Sequence, residues 1–274
     1  MTALQPNTTD TPILRAEGLS KRFGGLLAVD GVSFSILPQR ITALIGPNGA
    51  GKTTVFNCIT GFYRPSSGRI TAAHHGATVD LAKLQPHQIA AKAGLARTFQ
   101  NIRLFKRLTV LENLLAAQHA GLMRASGFSV KGLLGIASYK KAEEAAVATA
   151  RLWMEELHIE SFADLPAGSL PYGVQRRVEI ARALCMSPQL LCLDEPAAGL
   201  NPKESSELAQ FLQQLRDKHH LSVLLIEHDM SVVMGISDHI VVLDYGRKIA
   251  EGRAEDVRAH PDVIKAYLGE DADA

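Results

Sequence analysis

The chain has 274 residues, 46% apolar and 21% charged, a composition that excludes extensive disorder and allows one large domain or two small ones with a full core. A total of 29 Lys and Arg against 28 Asp and Glu gives a net charge of +1, so there is no general electrostatic case for a nucleic-acid partner. The three cysteines, Cys58, Cys185 and Cys192, lack CxxC spacing; this argues against a disulfide framework or zinc ribbon and reads as small buried residues in a reducing compartment.

Met1 to Asp10 has neither a basic n-region nor an apolar h-region, so a loose tail is expected there, not a signal peptide. No run of 18 apolar residues occurs, so the chain is not expected to span a membrane alone. Leu14 to Phe23 mixes apolar and charged residues and stops at Gly24-Gly25, and Leu26 to Leu37 alternates through Val29, Val32, Phe34 and Ile36 as a strand does. After a turn at Pro38–Arg40, Ile41–Ile45 reads as a buried strand, followed by a glycine-rich loop and a helix to Thr60. Residues 65–68 form a second turn and residues 69–81 a hairpin.

The middle of the chain is rich in Ala, Leu, Glu and Lys. Ala142, Ala146, Ala150, Trp153 and Leu157 repeat at helical spacing, and residues 121–135 read as a loop between helices. An inserted helical subdomain is therefore expected over 96–185. Beyond it, strand and helix alternate. Leu190 to Leu193, Leu221 to Ile226 and Ile240 to Asp244 are strands, Lys203 to His219 is a helix with Pro202 in its first turn, and Ser231 to Ile236 is helical. Two short helices follow Glu255. Alternating βα units predict a parallel sheet covered by helices.

Gly46-Pro47-Asn48-Gly49-Ala50-Gly51-Lys52-Thr53 matches GxxxxGK[ST], with a strand before it and a helix after it. Its glycines let backbone N–H groups curl toward phosphate oxygens, and the helix beginning near Gly51 adds its positive end. Lys52 can reach the β- and γ-phosphates, and Thr53 can ligate Mg²⁺. Leu190 to Leu193 delivers Asp194 and Glu195 at the carboxyl end of a buried strand, where Asp194 can hold Mg²⁺ through water and Glu195 can polarise an attacking water. These features predict a nucleoside triphosphatase.

Further residues extend the pattern. Gln100 lies within Arg97-Thr98-Phe99-Gln100-Asn101, Leu170-Pro171-Tyr172-Gly173-Val174-Gln175 precedes a helix, Gly199-Leu200-Asn201 follows the acid pair, and His228 follows an apolar strand. In this order the chain resembles the ATP-binding-cassette ATPases from about residue 12 to 269. Arg22-Phe23-Gly24-Gly25, Glu195 to Pro202, Ile226 to Met230 and Ala266 to Glu270 are similar to the larger ATPase subunit of bacterial branched-chain amino-acid importers. The insert around 121–139 suits that subunit, and the ATPases of urea and amide uptake and of lipopolysaccharide export are related to it.

The resemblance implies an α/β P-loop fold: a RecA-like parallel-sheet core, an N-terminal antiparallel β subdomain and an inserted α-helical subdomain. It implies one cassette domain over 12–269, with core and β subdomain at 12–95 and 186–254, helical subdomain at 96–185, C-terminal helices at 255–269, and loose tails at 1–11 and 270–274. It implies ATP and Mg²⁺, with Phe23 stacking on adenine and Thr54 joining the phosphate loop. Gln100 senses the γ-phosphate through Mg²⁺ or water, His228 contacts the γ-phosphate, and Gly173 and Gln175 serve the site of an opposite subunit. Asn201 stands where an acid is common and keeps only hydrogen bonding across the interface.

The implied partners are a second ATPase subunit in a head-to-tail dimer, two transmembrane permease subunits and, indirectly, a periplasmic binding protein. The implied location is the cytoplasmic face of the inner membrane. Ile102, Leu104, Phe105 and Leu108 either line a groove toward the membrane partner or belong to the core. One departure stands out. The family signature reads Leu-Ser-Gly-Gly-Gln, and here Pro171 replaces Ser with neither hydroxyl nor N–H. Two readings follow: a tolerated helix start capped by Ser169, or an asymmetric dimer in which the site completed by this signature is slow. The alternative functions are the ATPase of a related transporter, for urea or amide uptake or lipopolysaccharide export, and a non-hydrolytic nucleotide-binding subunit.

Overall fold

The computed structural model describes residues 11–119, 122–123 and 137–268. The expected tails, apart from residue 11, and the expected loop at 121–135, apart from the helical Leu122 and Met123, lie outside the described residues. The structure divides into two units, one holding the described residues up to Arg97 and from Gln189 onward, the other Thr98–Pro188.

In the first unit, strands β1 (Leu14–Phe23) and β2 (Leu26–Ile36) pair antiparallel, and β1 also pairs with β4 (Ser67–His74), which pairs with β5 (Ala77–Asp80). The four-stranded order is β2-β1-β4-β5. Alternation explains its one-sided burial: Leu14, Ala16 and Leu19 of β1 and Val29, Val32, Phe34 and Ile36 of β2 face the core. The expected turn at 65–68 is shorter than its residues suggested, since β4 begins at Ser67.

The second sheet has six strands in the order β10-β9-β3-β8-β7-β6. They are β3 (Ile41–Ile45), β6 (Leu95–Arg97), β7 (Leu190–Asp194), β8 (Ser222–Ile226), β9 (His239–Asp244) and β10 (Arg247–Gly252). All but β10 run parallel to their neighbours. Every residue of β3, β7 and β8 is buried, which is why they read as largely apolar runs. Each buried Leu, Ile or Val contributes about 1.5–3 kcal/mol. The edge strands β6 and β10 escape sequence reading because β6 has only three residues and β10 is half-exposed and mixed.

Helices α1 (Lys52–Ile59), α2 (Pro86–Ala93), α6 (Pro202–His219), α7 (Met230–Ile236), α8 (Ala254–Arg258) and α9 (Pro261–Leu268) complete this unit. Asn201 caps α6: its Oδ1 accepts the Glu204 N–H at 3.0 Å, and Glu204 returns a carboxylate to the Asn201 N–H at 2.9 Å. The side chain expected to bond across an interface is thus engaged within its own chain.

In the second unit, α3 (Val110–Ala117), α4 (Ala137–Glu156) and α5 (Tyr172–Leu184) pack on one another. Of the stripe expected here, Ala146, Ala150 and Leu157, which lies just beyond α4, are buried, whereas Ala142 and Trp153 are half-buried and the neighbouring Met154 is buried instead. Phe105 and Leu108 are exposed and Ile102 and Leu104 half-buried, so these four are not core.

All three thiols are free and buried. Burial pushes the Cys185 and Cys192 thiols up to about 12 and Cys58 up to about 11. At pH 8 the folded chain is therefore expected to take up no thiol reagent, and three equivalents after denaturation. A folded-state thiol reacting at the rate of free cysteine contradicts this burial; mass spectrometry of the labelled chain reads the result.

Candidate active site

Parallel register sets the site. Ile226 of β8 lies between Leu44 of β3 and Asp194 of β7, so three strands end at one level and release their loops on the same edge of the sheet. The loop after β3 holds Gly46 to Thr53, that after β7 begins with Glu195, and that after β8 carries Glu227 and His228.

The first loop requires glycine. Gly46 has φ 147°, and a Cβ there would meet the Leu243 carbonyl at 2.0 Å. Gly51 has φ 95°, and a Cβ would meet the Ala28 carbonyl at 2.7 Å. Backbone bonds brace the loop: Ala50 N–H to Pro47 O at 3.2 Å, Gly246 N–H to Ala50 O at 3.1 Å, and Asp30 N–H to Gly246 O at 2.8 Å. Gly51 is the N-cap of α1 and no side chain caps that helix, whose positive end therefore suits an anion. Lys52 is buried, and its Nζ donates to Gly46 O at 2.6 Å and Pro47 O at 2.8 Å, anchoring the charge inside the loop.

The loop opens on a cleft of about 480 Å³ lined by Asn48, Gly49, Ala50, Gly51, Lys52, Thr53, Thr54, Glu195, His228 and Phe23, with Leu26, Leu27, Ala28 and Tyr245. Phe23 is 40% exposed and not a core residue; its ring sits edge-on to Tyr63 at 5.1 Å and beneath Lys21 Nζ at 4.9 Å. An exposed, braced aromatic face beside a phosphate loop suits a nucleobase.

Glu195 and His228, 33 residues apart, meet with Nε2 and Oε1 at 2.6 Å. Glu195 takes a left-handed φ of 48°, uncommon for a non-glycine residue. Asp194 is buried at the end of β7. The hydroxyl of Thr53 and the carboxylate of Asp194 are hard oxygen donors, the kind Mg²⁺ takes alongside phosphate and water. Sequence reasoning missed Glu227. Only 3% exposed, it accepts the Ala197 N–H on Oε1 at 2.7 Å and the His228 N–H on Oε2 at 3.0 Å. Burial pushes its carboxyl above the usual range, opposed by those N–H bonds and one from Asp229. The available signal was an acid closing an apolar strand.

This arrangement, a glycine phosphate loop with an acid and a histidine on adjacent strand ends, agrees with the family comparison. The family described as ABC transporter matches residues 29–198, and the one described as branched-chain amino acid ATP-binding cassette transporter matches residues 247–273. The chain belongs to the ABC transporter family, as one of its ATPases.

Among curated relatives of this ATPase is the high-affinity branched-chain amino acid transport ATP-binding protein BraF of Pseudomonas aeruginosa. It is 51% identical over 259 residues, covering 94% of this chain and 98% of the relative. LivG of Escherichia coli K12, named as a high-affinity branched-chain amino acid transport ATP-binding protein, matches to the same extent. A crystal structure of the ADP conformation of an ATP-binding cassette of an ABC transporter matches with TM-score 0.78 and 35% identity, over 94% of this chain and 99% of that one. A nucleotide-free cassette matches with TM-score 0.76 and 34% identity over the same shares. No helix among the described residues of the ATPase is long and apolar enough to cross a membrane.

The Thr98–Pro188 unit holds Gln100, Gly173 and Gln175. Pro171 is the N-cap of α5, one place before the first turn, with ψ 151° and its carbonyl accepting the Gln175 N–H at 2.9 Å. Ser169 does not cap this helix; its hydroxyl donates to Pro166 O at 2.8 Å. Gln175 Nε2 donates to Leu170 O at 2.7 Å, so that amide closes the turn before the helix. The buried Arg176 guanidinium donates to Phe99 O at 2.7 Å, to Gln100 O at 2.9 Å and to Glu179 at 2.9 Å. Glu179 in turn accepts the Phe99 and Arg103 N–H groups. This pair ties the Gln100 loop to the start of α5. The two ions pair with each other and with main chain, as burial demands, although the Arg176 Nε itself has no partner among the described residues.

Gly46→Ala forces a Cβ against a main-chain carbonyl, so nucleotide affinity is expected to fall at least tenfold in titrations with a fluorescent analogue. Unchanged affinity contradicts the fit of the loop.

Proposed function

We propose that this chain is the ATP-hydrolysing subunit that powers membrane uptake of branched-chain amino acids. The reading of hydrolysis rests on one observation above the others: the 2.6 Å contact of Glu195 with His228 at the mouth of the phosphate loop. The reading of cargo rests on relatives 51% identical over nearly their whole length and named for branched-chain amino acid transport.

In this reading ATP lies with its base on Phe23 and its phosphates on the N–H groups of Gly46 to Thr54. Lys52 neutralises charge between the β- and γ-phosphates. Mg²⁺, when bound, supplies positive charge to the phosphate oxygens, with Thr53, Asp194 and Gln100 as its protein partners. Glu195 orients a water toward the γ-phosphorus and takes its proton as the bond to the ADP oxygen breaks. His228 holds the Glu195 carboxylate in line and presents its ring to the γ-phosphate.

One chain carries one phosphate loop and one signature, so two chains complete two sites head to tail, Gly173 and Gln175 facing the partner's nucleotide. The proposed partner is a second cassette ATPase, and their closure moves two permease subunits at the cytoplasmic face of the membrane, fed by a periplasmic binding protein. The exposed Phe105 and Leu108, with Ile102 and Leu104, are the proposed contact toward the permease. The proposed cassette spans 12–269, with the helical subdomain at 96–185.

Glu195→Gln removes the proton acceptor and leaves the phosphate loop intact. Turnover is expected to fall at least 100-fold with ATP affinity within twofold of wild type. In cells lacking this chain, wild type is expected to restore uptake of labelled leucine and Glu195→Gln is not. Retained turnover in the variant sinks the hydrolytic role of Glu195, and unimpaired leucine uptake without the chain sinks the cargo.

Pro171 starts α5 with its carbonyl bonded as a cap residue's is, which supports the tolerated helix start. Pro171→Ser is expected to change ATPase turnover less than twofold. A rise of tenfold or more would instead mark the site completed by this signature as impaired.

A further inference from the structure

Glu227 stands outside the reaction just described, yet it is the buried acid that joins the two loops carrying it. The chain leaves β7 at Glu195, whose N–H still donates to Ile226 O at 2.9 Å. Past that point the loop turns on itself, Ala198 N–H to Glu195 O at 3.2 Å and Leu200 N–H to Ala197 O at 3.0 Å. Glu227 ties this turn to the end of β8: one carboxylate oxygen accepts from Ala197 at 2.7 Å, the other from His228 at 3.0 Å. Glu195, in its left-handed conformation, stands two residues before the first anchor, and the second anchor is the N–H of His228, whose ring meets Glu195.

We propose that Glu227 is a positioning residue for ATP hydrolysis, its carboxylate bridging the Glu195 loop to the His228 loop so that the two side chains meet. The proposal rests on the hydrolytic reading of Glu195 and His228.

The chemistry is specific to a carboxylate. Both oxygens face main-chain N–H donors: Ala197 on the first loop, and His228, with Asp229 beside it, on the second. Glutamine has the same shape but one acceptor and one donor. Either way round, its NH₂ group meets an N–H and one loop loses its anchor. A residue that merely filled space would tolerate the change. A left-handed glutamate persists only where its surroundings hold it, and the Glu227 bridge is adjacent to it.

The test compares Glu227→Gln, His228→Ala, the double variant and Glu195→Gln in the full chain within its transporter complex, with hydrogen exchange on the full chain alone. Glu227→Gln is expected to lower kcat 10- to 50-fold, with KM and ATP affinity within twofold. Exchange is expected to quicken in 195–201 and 226–230, with the phosphate loop unchanged. In the His228→Ala background, Glu227→Gln is expected to cost less than a further twofold, because both changes break one arrangement.

An undiminished kcat in Glu227→Gln overturns the proposal. So does a kcat loss that multiplies with that of His228→Ala, or a loss of ATP affinity equal to the loss of turnover. Where Glu227→Gln does not fold, Glu227→Asp carries the test: one methylene shorter, it keeps the charge but serves one loop, and the same kcat loss at unchanged affinity is expected. Full turnover in Glu195→Gln is a different failure, which removes the hydrolytic reading itself.

Discussion

The parallel register of β3, β8 and β7 sets where the phosphate loop, Asp194, Glu195 and His228 stand. With Ile226 flanked by Leu44 and Asp194, three buried strands finish side by side. Their loops leave the sheet where main-chain ladder bonds end and polar groups need new partners. An anion-binding loop, an acid and a histidine converge there because the sheet presents three carboxyl ends to one cleft. The apolar runs that bury these strands keep that register, since a slip of one residue would move the strands' ends and the groups they carry.

Within each unit, buried charge is balanced by backbone as well as by opposite charge. Lys52 rests on two carbonyls of its own loop, and Glu227 on N–H groups of two loops. In the Thr98–Pro188 unit, Arg176 and Glu179 pair with each other and each also binds main chain of 99–103. Leaving any such ion alone in the interior costs several kcal/mol, so each is strongly constrained to one geometry. The consequence is a set of loops held from within, each carrying a residue assigned to nucleotide chemistry or lying next to one.

Much of the fold could be read from local pattern. β3, β7 and β8 are largely apolar runs, β1 and β2 alternate, and α6 announces itself with Pro202 in its first turn. What escaped reading had weak local signal. β6 is three residues long, β10 is half-exposed, and α2 is an eight-residue helix between Pro86 and Gly94. The signature helix was expected to carry Pro171 within its first turn and Ser169 as its cap. The structure puts the proline itself at the cap and turns the serine back to Pro166, because both hydroxyl and carbonyl were within local reach and residue spacing does not choose between them.

By itself the sequence determined the phosphate loop, the strands that bear it, and the candidate acids and histidine. Those depend on residue type and short spacing: glycine where a Cβ has no room, and buried runs that only a covered parallel sheet satisfies. That Glu195 meets His228 and that Glu227 spans their loops was settled only by the folded arrangement. These pairings join segments through strand order and register. Strand order is set by packing over the whole sheet, which no local stretch of residues encodes.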